Sequence, residues 1–270
     1  MSAAATSPKS PRQLYQIAKR HGMWDPEQIP IAEDRPHWER LTPGQKEQLL
    51  KVCALFYEGE VSVSDTLAWF IAGMQDADRR VFLTTQMFEE VKHAEFFHLY
   101  FRDVFGEVNT AAYLVPEYRG VLLDELKARG EAIGRALLSG SEEELDKAMV
   151  IGFTHYMGIV EGGLAVTGYQ YFEEMLGSRG IFPRLLQGIQ LIRADEGRHL
   201  AHGMDYLRQK IARKPDLAAL VRHLFWSETL KIPARTEVVF RPNDFGLSRI
   251  KMMTLAYSHI KQRQHECGVA

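Results

Sequence analysis

Two segments, Glu90–Val91–Lys92–His93 and Glu196–Gly197–Arg198–His199, share the spacing Glu-x-x-His and decide the fold. Each lies in a stretch of helical periodicity, and residues three apart are neighbours on the surface of a helix. One face of each helix therefore presents a carboxylate beside an imidazole. Two such helices, together with two helices that each carry one Glu, can enclose a pair of metal ions. The sequence thus predicts an all-α protein built around a dinuclear metal site.

Helical periodicity dominates the rest of the chain as well, and strand-like alternation is nearly absent. We expect residues 1–42 to form a mobile N-terminal tail and an irregular arm, and residues 43–270 to form one dinuclear-metal helical domain. The predicted helices cover residues 43–73, 75–105, 141–176, 183–212 and 247–264, with shorter helices over 110–139 and from Pro215 onward. Pro116 and Gly130 are expected to interrupt the helices of 110–139. This pattern predicts a ferritin-like four-helix bundle core with additional helices.

The metal site itself is predicted from the faces of four helices. Each of these helices places a Glu on a largely apolar stripe, at Glu60, Glu90, Glu161 and Glu196. Charged groups on such stripes are costly to bury unless they are paired or bound to metal. Four carboxylates and two neutral imidazoles carry a summed charge of -4, which matches two divalent cations. Carboxylate oxygen combined with imidazole nitrogen suits iron or manganese, with zinc as an alternative.

A third copy of the motif, Glu95–Phe96–Phe97–His98, lies on the same helix as the first copy. We favour Glu90 and His93 because their stripe is the more apolar one, whereas the third copy shares its face with Arg102. The competing interpretation is a solvated helix face with scattered histidines. Asp195, directly before Glu196, is either a surface residue or an acceptor for the outer N–H of a ligating histidine.

Composition and charge argue against several classes of protein. The net charge of -2 and the pI of about 6.6 give no sign of a nucleic-acid-binding surface. We expect no transmembrane segment and no secretory signal, because no apolar run is long enough and the N-terminus lacks an apolar core. Cys53 and Cys267 have no partner at metal-ligand spacing, so we expect packed or surface thiols in a reducing cytoplasm.

Together these segments resemble the ribonucleotide reductase small-subunit superfamily and, within it, the ligand-binding oxidases. The likeness covers most of the chain, and the segments that carry it include FYEGEVSV (56–63), FEEVKHAEFFHLYF (88–101), THYMGIVEGGLAVTGY (154–169) and ADEGRHLAHG (194–203). The resemblance implies Glu60, Glu90 and His93 as ligands of one metal. It implies Glu161, Glu196 and His199 as ligands of the other. Glu58 is the alternative to Glu60.

The resemblance also implies a chemistry. That group of oxidases has a manganese–iron cofactor assembled with O2, a long-chain fatty acid bound at the metals, and an ether cross-link from a Tyr oxygen to the Cβ of a Val. Di-iron occupancy is the alternative for the cofactor. Val63 and Tyr156 are the implied cross-link pair, and Tyr169 is a further candidate near the cofactor. Helix spacing places Val63 beside Glu60, whereas the placement of Tyr156 rests on the resemblance because Tyr156 and Glu161 are five residues apart.

Two other functions remain as alternatives. One is a radical-generating small subunit of a ribonucleotide reductase of the Mn/Fe type, and the other is a non-catalytic ferritin-like iron-handling protein. Phe97 stands four residues after the first ligand histidine, where small subunits with a tyrosyl radical carry Tyr, and this favours the oxidase. The long N-terminal arm and the Val63/Tyr156 pair argue against iron handling. By analogy with bundles of this size, we expect a homodimer.

Overall fold

Twelve α-helices, joined by short 3₁₀ and π-helical stretches, make up the part of the chain that the computed structural model describes, residues 8–106 and 108–270. In chain order they are α1 (Pro11–His21), α2 (Arg35–Arg40), α3 (Pro43–Gly73), α4 (Ala77–Tyr100), α5 (Pro116–Arg119), α6 (Glu125–Ser139), α7 (Glu142–Phe153), α8 (Val166–Met175), α9 (Pro183–Arg213), α10 (Leu217–Thr229), α11 (Ile232–Val239) and α12 (Arg249–Glu266). These two ranges contain no β-strand. The predicted all-α fold is confirmed.

The helix boundaries follow from local capping chemistry. At the start of α3, the Thr42 side chain accepts a hydrogen bond from the backbone N–H of Gln45, and the Gln45 side chain accepts one from the backbone N–H of Thr42. Ser141 caps α7 in the same way by accepting from the backbone N–H of Glu144. Pro183 occupies the first turn of α9, where its missing N–H costs nothing. α3 consequently begins and ends at the predicted residues.

Several features differ from the expectation. The arm is more regular than expected, because it contains α1 and α2; residues 1–7, where the mobile tail was expected, lie outside the described residues. α11 was not predicted. Gly130 does not interrupt a helix but lies inside α6, where an added Cβ would be 2.7 Å from Thr66 Cγ2 and 2.8 Å from Trp69 Cδ1. This glycine therefore permits α6 to pack closely against α3.

The predicted helix over 141–176 is not a uniform α-helix. Between α7 and α8 the chain forms a π-helical stretch, Thr154–Ala165, which contains Glu161. A π-helix closes its hydrogen bonds from residue i to residue i+5, and such stretches are frequent at functional sites. The wider stretch Glu142–Arg179 is long and apolar enough to cross a membrane by length and composition, but 78% of its most apolar window is buried inside the protein. It is a core element of the bundle.

The core of the bundle is formed by α3, α4, α9 and the π-helical stretch. α4 packs against α3 and α9, and α9 packs against the π-helical stretch. These four elements carry Glu60, Glu90, Glu196 and Glu161, respectively, so the fold brings the four predicted carboxylates into one interior. Both cysteines are buried thiols.

Candidate metal centre

The six predicted metal ligands are buried, each with at most 5% of its surface exposed: Glu60, Glu90, His93, Glu161, Glu196 and His199. Glu95 and His98 of the third motif copy are exposed, so the apolar stripe identified the buried face of α4 correctly. Glu58, the alternative to Glu60, is only partly buried and accepts a hydrogen bond from Thr110 Oγ1 at 2.6 Å. Among the predicted acids of α3, Glu60 is therefore the one that reaches the interior.

The inner nitrogens of the two imidazoles are surrounded by the predicted carboxylates. His93 Nδ1 lies 3.3 Å from Glu196 Oε1, 3.6 Å from Glu90 Oε2 and 3.6 Å from Glu60 Oε2. His199 Nδ1 lies 3.2 Å from one oxygen of Glu90 and 3.2 Å from one oxygen of Glu196. Glu90 and Glu196 thus each reach both imidazoles. Both carboxylates therefore lie between the two imidazoles, and these distances do not assign either carboxylate to one histidine alone.

These groups fit a metal ion. Glu60, Glu90, His93 and Glu196 offer ligand atoms that all lie within 4.8 Å of one another. Glu60 Oε2, Glu90 Oε2, Glu196 Oε1 and His93 Nδ1 are buried, and none has a hydrogen-bond partner among the described residues. A buried acceptor without a partner is costly, and a cation coordinated by these atoms would remove that cost. The set of hard oxygens with imidazole nitrogen is typical of iron and manganese sites.

The charges of the cluster are strongly perturbed. Burial, reinforced by neighbouring carboxylates, raises the pKa of Glu60 to about 8, while His93 opposes the shift. Burial and the same carboxylates raise the pKa of Glu161 well above its usual range. Burial alone would also raise the pKa of Glu90, but His199 and His93 hold it well below its usual range. The carboxylates therefore compete for positive charge, which protons or bound cations can supply.

The outer nitrogens of the imidazoles are held by two further carboxylates. His93 Nε2 lies 3.2 Å from Asp195 Oδ2, and His199 Nε2 lies 2.7 Å from Glu89 Oε2. The arrangement is crosswise, because the carboxylate on each helix contacts the histidine of the other helix. Such outer contacts fix the orientation of a ligating imidazole. The role predicted for Asp195 matches this geometry, whereas Glu89 was missed.

Two basic side chains and one indole complete this outer layer. Arg198 Nη2 lies 2.5 Å from both Glu89 Oε1 and Asp195 Oδ1, so one guanidinium bridges the two carboxylates. Lys92 Nζ lies 3.0 Å from Asp195 Oδ2, and the indole N–H of the half-buried Trp24 donates to the same oxygen at 2.8 Å. Together these residues form a buried polar network outside the imidazoles.

The sequence contains a signal for this network. Segments 89–93 and 195–199 both read acid, Glu, any residue, base, His. On a helix, the acid and the base of this pattern are three residues apart and face the same side. The repeated five-residue pattern is thus more specific than Glu-x-x-His, and it predicts the outer carboxylates together with their bases.

Tyr156 contacts the centre directly. Its hydroxyl donates a hydrogen bond to Glu90 Oε1 and accepts one from Gln86 Nε2 at 2.7 Å. Val63 is 2% exposed and belongs to the same apolar cluster as Tyr156. The hydroxyl of Tyr169 is buried without a partner among the described residues, and its ring centroid lies 5.2 Å from that of Phe56. Gln86 was not predicted from the sequence.

An apolar cavity of about 120 Å³ borders the centre. Among the predicted ligands, Glu60 and Glu161 line it. Its walls come from α3, α5, the π-helical turn Gly120–Asp124, the π-helical stretch, α8, α11 and α12. They are mainly apolar, with Leu55, Leu122, Leu164, Val239 and Met252 as examples. The arrangement can therefore hold a small apolar molecule next to two carboxylates of the centre.

Comparison with known proteins identifies the fold and the family of this chain. Three similar solved structures are variants of R2-like ligand-binding oxidases. One with an aerobically reconstituted Mn/Fe cofactor is 23% identical (TM-score 0.87; 99% of this chain and 96% of that chain covered). One with an aerobically reconstituted Fe/Fe cofactor is 24% identical (TM-score 0.87; 98% and 95%). One with an anaerobically reconstituted Mn/Fe cofactor is 25% identical (TM-score 0.85; 98% and 95%).

The fold of this chain is thus that of the R2-like ligand-binding oxidases over nearly its whole length. The sequence family described as "Ribonucleotide reductase, small chain" matches residues 12–229, which is well over half of the chain. The matched region contains all six buried residues of the centre. The chain belongs to the ribonucleotide reductase small chain family.

Proposed function

We propose that this protein is an oxygen-activating oxidoreductase with one manganese and one iron, which binds a long-chain fatty acid at the metals and forms an ether cross-link between Tyr156 and Val63. The observation that carries the proposal is the apolar cavity that borders Glu60 and Glu161. A cavity with apolar walls and a few polar groups at one place is typical of a small-molecule site.

The proposed ligands are Glu60, Glu90 and His93 for one metal and Glu161, Glu196 and His199 for the other. Supporting this assignment are the burial of all six side chains and the buried ligand atoms that lack protein partners. The similar structures carry Mn/Fe cofactors, and one carries Fe/Fe, so a di-iron centre is the alternative. When bound, such a pair would supply the redox chemistry with O2.

The proposed position of the fatty acid has its carboxylate at the centre and its hydrocarbon chain in the cavity. Apolar walls would exclude water from the centre. Residues 232–256, which lie beyond the family match at residue 229, contribute one wall of this cavity through α11 and α12. We infer that these helices add a ligand pocket to a metal-binding bundle of the family.

The proposed cross-link joins the oxygen of Tyr156 to Cβ of Val63. Forming this bond removes the phenolic hydrogen and one hydrogen from Cβ, and O2 takes up the two electrons. Gln86 and Glu90 hold the phenol oxygen from two sides, so its position is fixed before any bond forms. Tyr169, buried close to the carboxylates of the centre, is a further candidate for a role in the reaction.

Intact-mass measurement after loading with manganese and iron in air tests the proposal. We expect the loss of two hydrogens, mapped to a linked pair of peptides that contain Val63 and Tyr156. Loading without oxygen and loading of Tyr156→Phe are the controls, and both are expected to keep the full mass. An unchanged mass at full metal occupancy in air would contradict the cross-link.

A radical-generating small subunit is the second candidate. One observation favours it: Trp24, Asp195 and His93 form a hydrogen-bonded row from the half-buried indole to the centre, along which a partner protein could exchange electrons. Phe97, fully buried, argues against a stable tyrosyl radical at that position. Nucleotide reduction in the presence of a candidate large subunit would establish this second function, and its absence would leave the oxidase.

The cytoplasmic location and the homodimer stay predictions. Burial raises the pKa of the Cys53 thiol well above its usual range, which disfavours the reactive thiolate. Sedimentation velocity over a range of protein concentrations tests the dimer. A monomer at all concentrations would contradict it.

A further inference from the structure

One buried guanidinium lies in the wall of the otherwise largely apolar cavity. Arg235 on α11 is 4% exposed and lines the cavity together with Tyr118 and Thr236. Neither the predicted metal ligands nor the proposed cross-link uses it. An arginine in an apolar wall is unfavourable unless its donors are satisfied, so the partners of its N–H groups need to be accounted for.

The protein satisfies only some of these donors. A guanidinium carries five N–H groups. Arg235 Nε donates to the backbone oxygen of Glu117 at 3.1 Å, and Nη1 donates to Glu228 Oε2 at 2.6 Å. Among residues 8–106 and 108–270, no acceptor is present for the other three N–H groups. A charged donor that lines a cavity and lacks a protein acceptor is suited to bind an oxygen of whatever fills that cavity.

The charge of Arg235 is already balanced. Glu228 is 3% exposed and pairs with Arg235, and Lys231 approaches Glu228 Oε1 at 2.6 Å. Glu125, in turn, lies 3.6 Å from Lys231. Glu125 also lies 3.6 Å from Arg129, and these outer groups are partly exposed, so the buried part of the group is the neutral pair of Arg235 and Glu228. A neutral oxygen, such as a hydroxyl or a ketone, would use the free N–H groups without adding a charge next to this buried neutral pair.

We infer that the cavity selects an oxygenated long-chain acid, with a hydroxyl or keto oxygen along the chain that accepts hydrogen bonds from Arg235. The inference rests on the proposed function, because it places the carboxylate of the same acid at the centre. It adds the chemical class of the ligand and one residue that determines specificity. The contrasting explanation is that Arg235 only ties α11 to α5 and α10 through Glu117 and Glu228, with water on its remaining donors.

Competitive binding to the metal-loaded protein tests the inference. A fluorescent conjugated polyene fatty acid is displaced with hexadecanoic acid, with a series of hydroxyhexadecanoic acids that carry the hydroxyl at successive carbons, and with hexadecanedioic acid. We expect one hydroxy isomer, or two adjacent ones, to bind about tenfold to a hundredfold more tightly than hexadecanoic acid, since hydrogen bonds to a charged group are strong. The diacid is expected to bind no more tightly than hexadecanoic acid.

The variant Arg235→Met/Glu228→Gln removes the guanidinium without leaving its carboxylate partner charged and buried. It is expected to abolish the advantage of the hydroxy isomers over hexadecanoic acid. Arg249→Met, which removes a partly exposed guanidinium paired with Glu237, is the matched control and should behave like the wild type. Circular dichroism and metal content verify that both variants are folded.

Three results would overturn the inference: equal affinity for all isomers and hexadecanoic acid, an advantage that persists in the double variant, or a preference for the diacid over every hydroxy isomer. Failure of the proposed function would look different, because wild-type protein would then bind no hexadecanoic acid. Recovery of an acid with one additional oxygen from the protein as purified, by extraction and mass spectrometry, would support the inference independently.

Discussion

The imidazole side and the cavity side of the metal centre are built from contrasting chemistry. Behind the imidazoles, the carboxylates of Glu89 and Asp195 are bridged by the guanidinium of Arg198 within a buried polar network. On the cavity side, Glu60 and Glu161 face a wall made mainly of apolar side chains. Both sides are buried, so the difference lies in polarity and not in access to bulk solvent.

The two sides of the centre have different tasks. A buried network of charged hydrogen bonds holds side chains in one orientation, which suits the positioning of metal ligands. An apolar wall leaves carboxylate atoms such as Glu60 Oε2 without protein partners and provides space beside them. Substitutions on the imidazole side should therefore change metal affinity, and substitutions on the cavity side should change ligand binding.

The largest effect is expected for Glu90→Ala, which removes a carboxylate that contacts both histidines. We expect the protein to lose metal, because one ligand set loses one of its three members and His199 of the other set loses its contact with Glu90. Glu95→Ala, on the exposed face of the same helix, is the control and should keep full occupancy. Metal analysis of the purified proteins measures the occupancy of both variants. Metal loss in Glu95→Ala but not in Glu90→Ala would show that the third motif copy, with Glu95 and His98, binds the metal.

Glu89→Gln and Asp195→Asn should each weaken metal binding by about tenfold to a hundredfold, because each removes the charge that orients an imidazole. Competition with a chromophoric chelator gives the affinities. Glu131→Gln, which changes an exposed acid on α6, is the control. Unchanged metal affinity in both outer variants would show that the network has no role in holding the imidazoles.

Ala256→Phe fills part of the cavity from α12. We expect metal occupancy to stay at the wild-type level while the affinity for hexadecanoic acid falls by about tenfold or more, which corresponds to about 1.4 kcal/mol. Overpacking of this kind typically costs about 1–3 kcal/mol of stability, so Tm is measured in parallel. Ser258→Phe, at an exposed position of the same helix, is the matched control. Loss of metal in Ala256→Phe would contradict the separation of the two sides.

The smallest effect is expected for Trp24→Phe. This change removes one hydrogen bond to Asp195 but leaves the contacts from Lys92 and Arg198. One hydrogen bond contributes about 1 kcal/mol, so metal affinity should fall by about fivefold in the same chelator assay. A decrease as large as that of Asp195→Asn would mean that the indole, and not the charged partners, holds this carboxylate.

Local and periodic features of the fold could be predicted from the sequence. The bounds of α3 follow from a capping box and a proline, which act within a few residues. The buried face of α4 follows from the spacing of its apolar residues, which distinguished Glu90 from Glu95. α11 was missed because it is short and is held in place by contacts with distant parts of the chain, such as the one between Arg235 and Glu117.

The position of Tyr156 could not be derived from helical spacing. In an α-helix, residues five apart lie on different faces, and Tyr156 and Glu161 are five apart. Because this stretch is a π-helix, five residues correspond to about one turn, and the tyrosine turns toward the centre. The cavity could not be predicted from the sequence either, because its walls come from segments that are far apart in the chain.

The crosswise contacts between α4 and α9 have a consequence for metal uptake. Glu89 on α4 orients His199 of α9, and Asp195 on α9 orients His93 of α4. Binding of a metal by one histidine would therefore also constrain the spacing of the two helices and the orientation of the other histidine. For the proposed pair of metals, we expect occupation of one position to raise the affinity of the other, which would make loading cooperative.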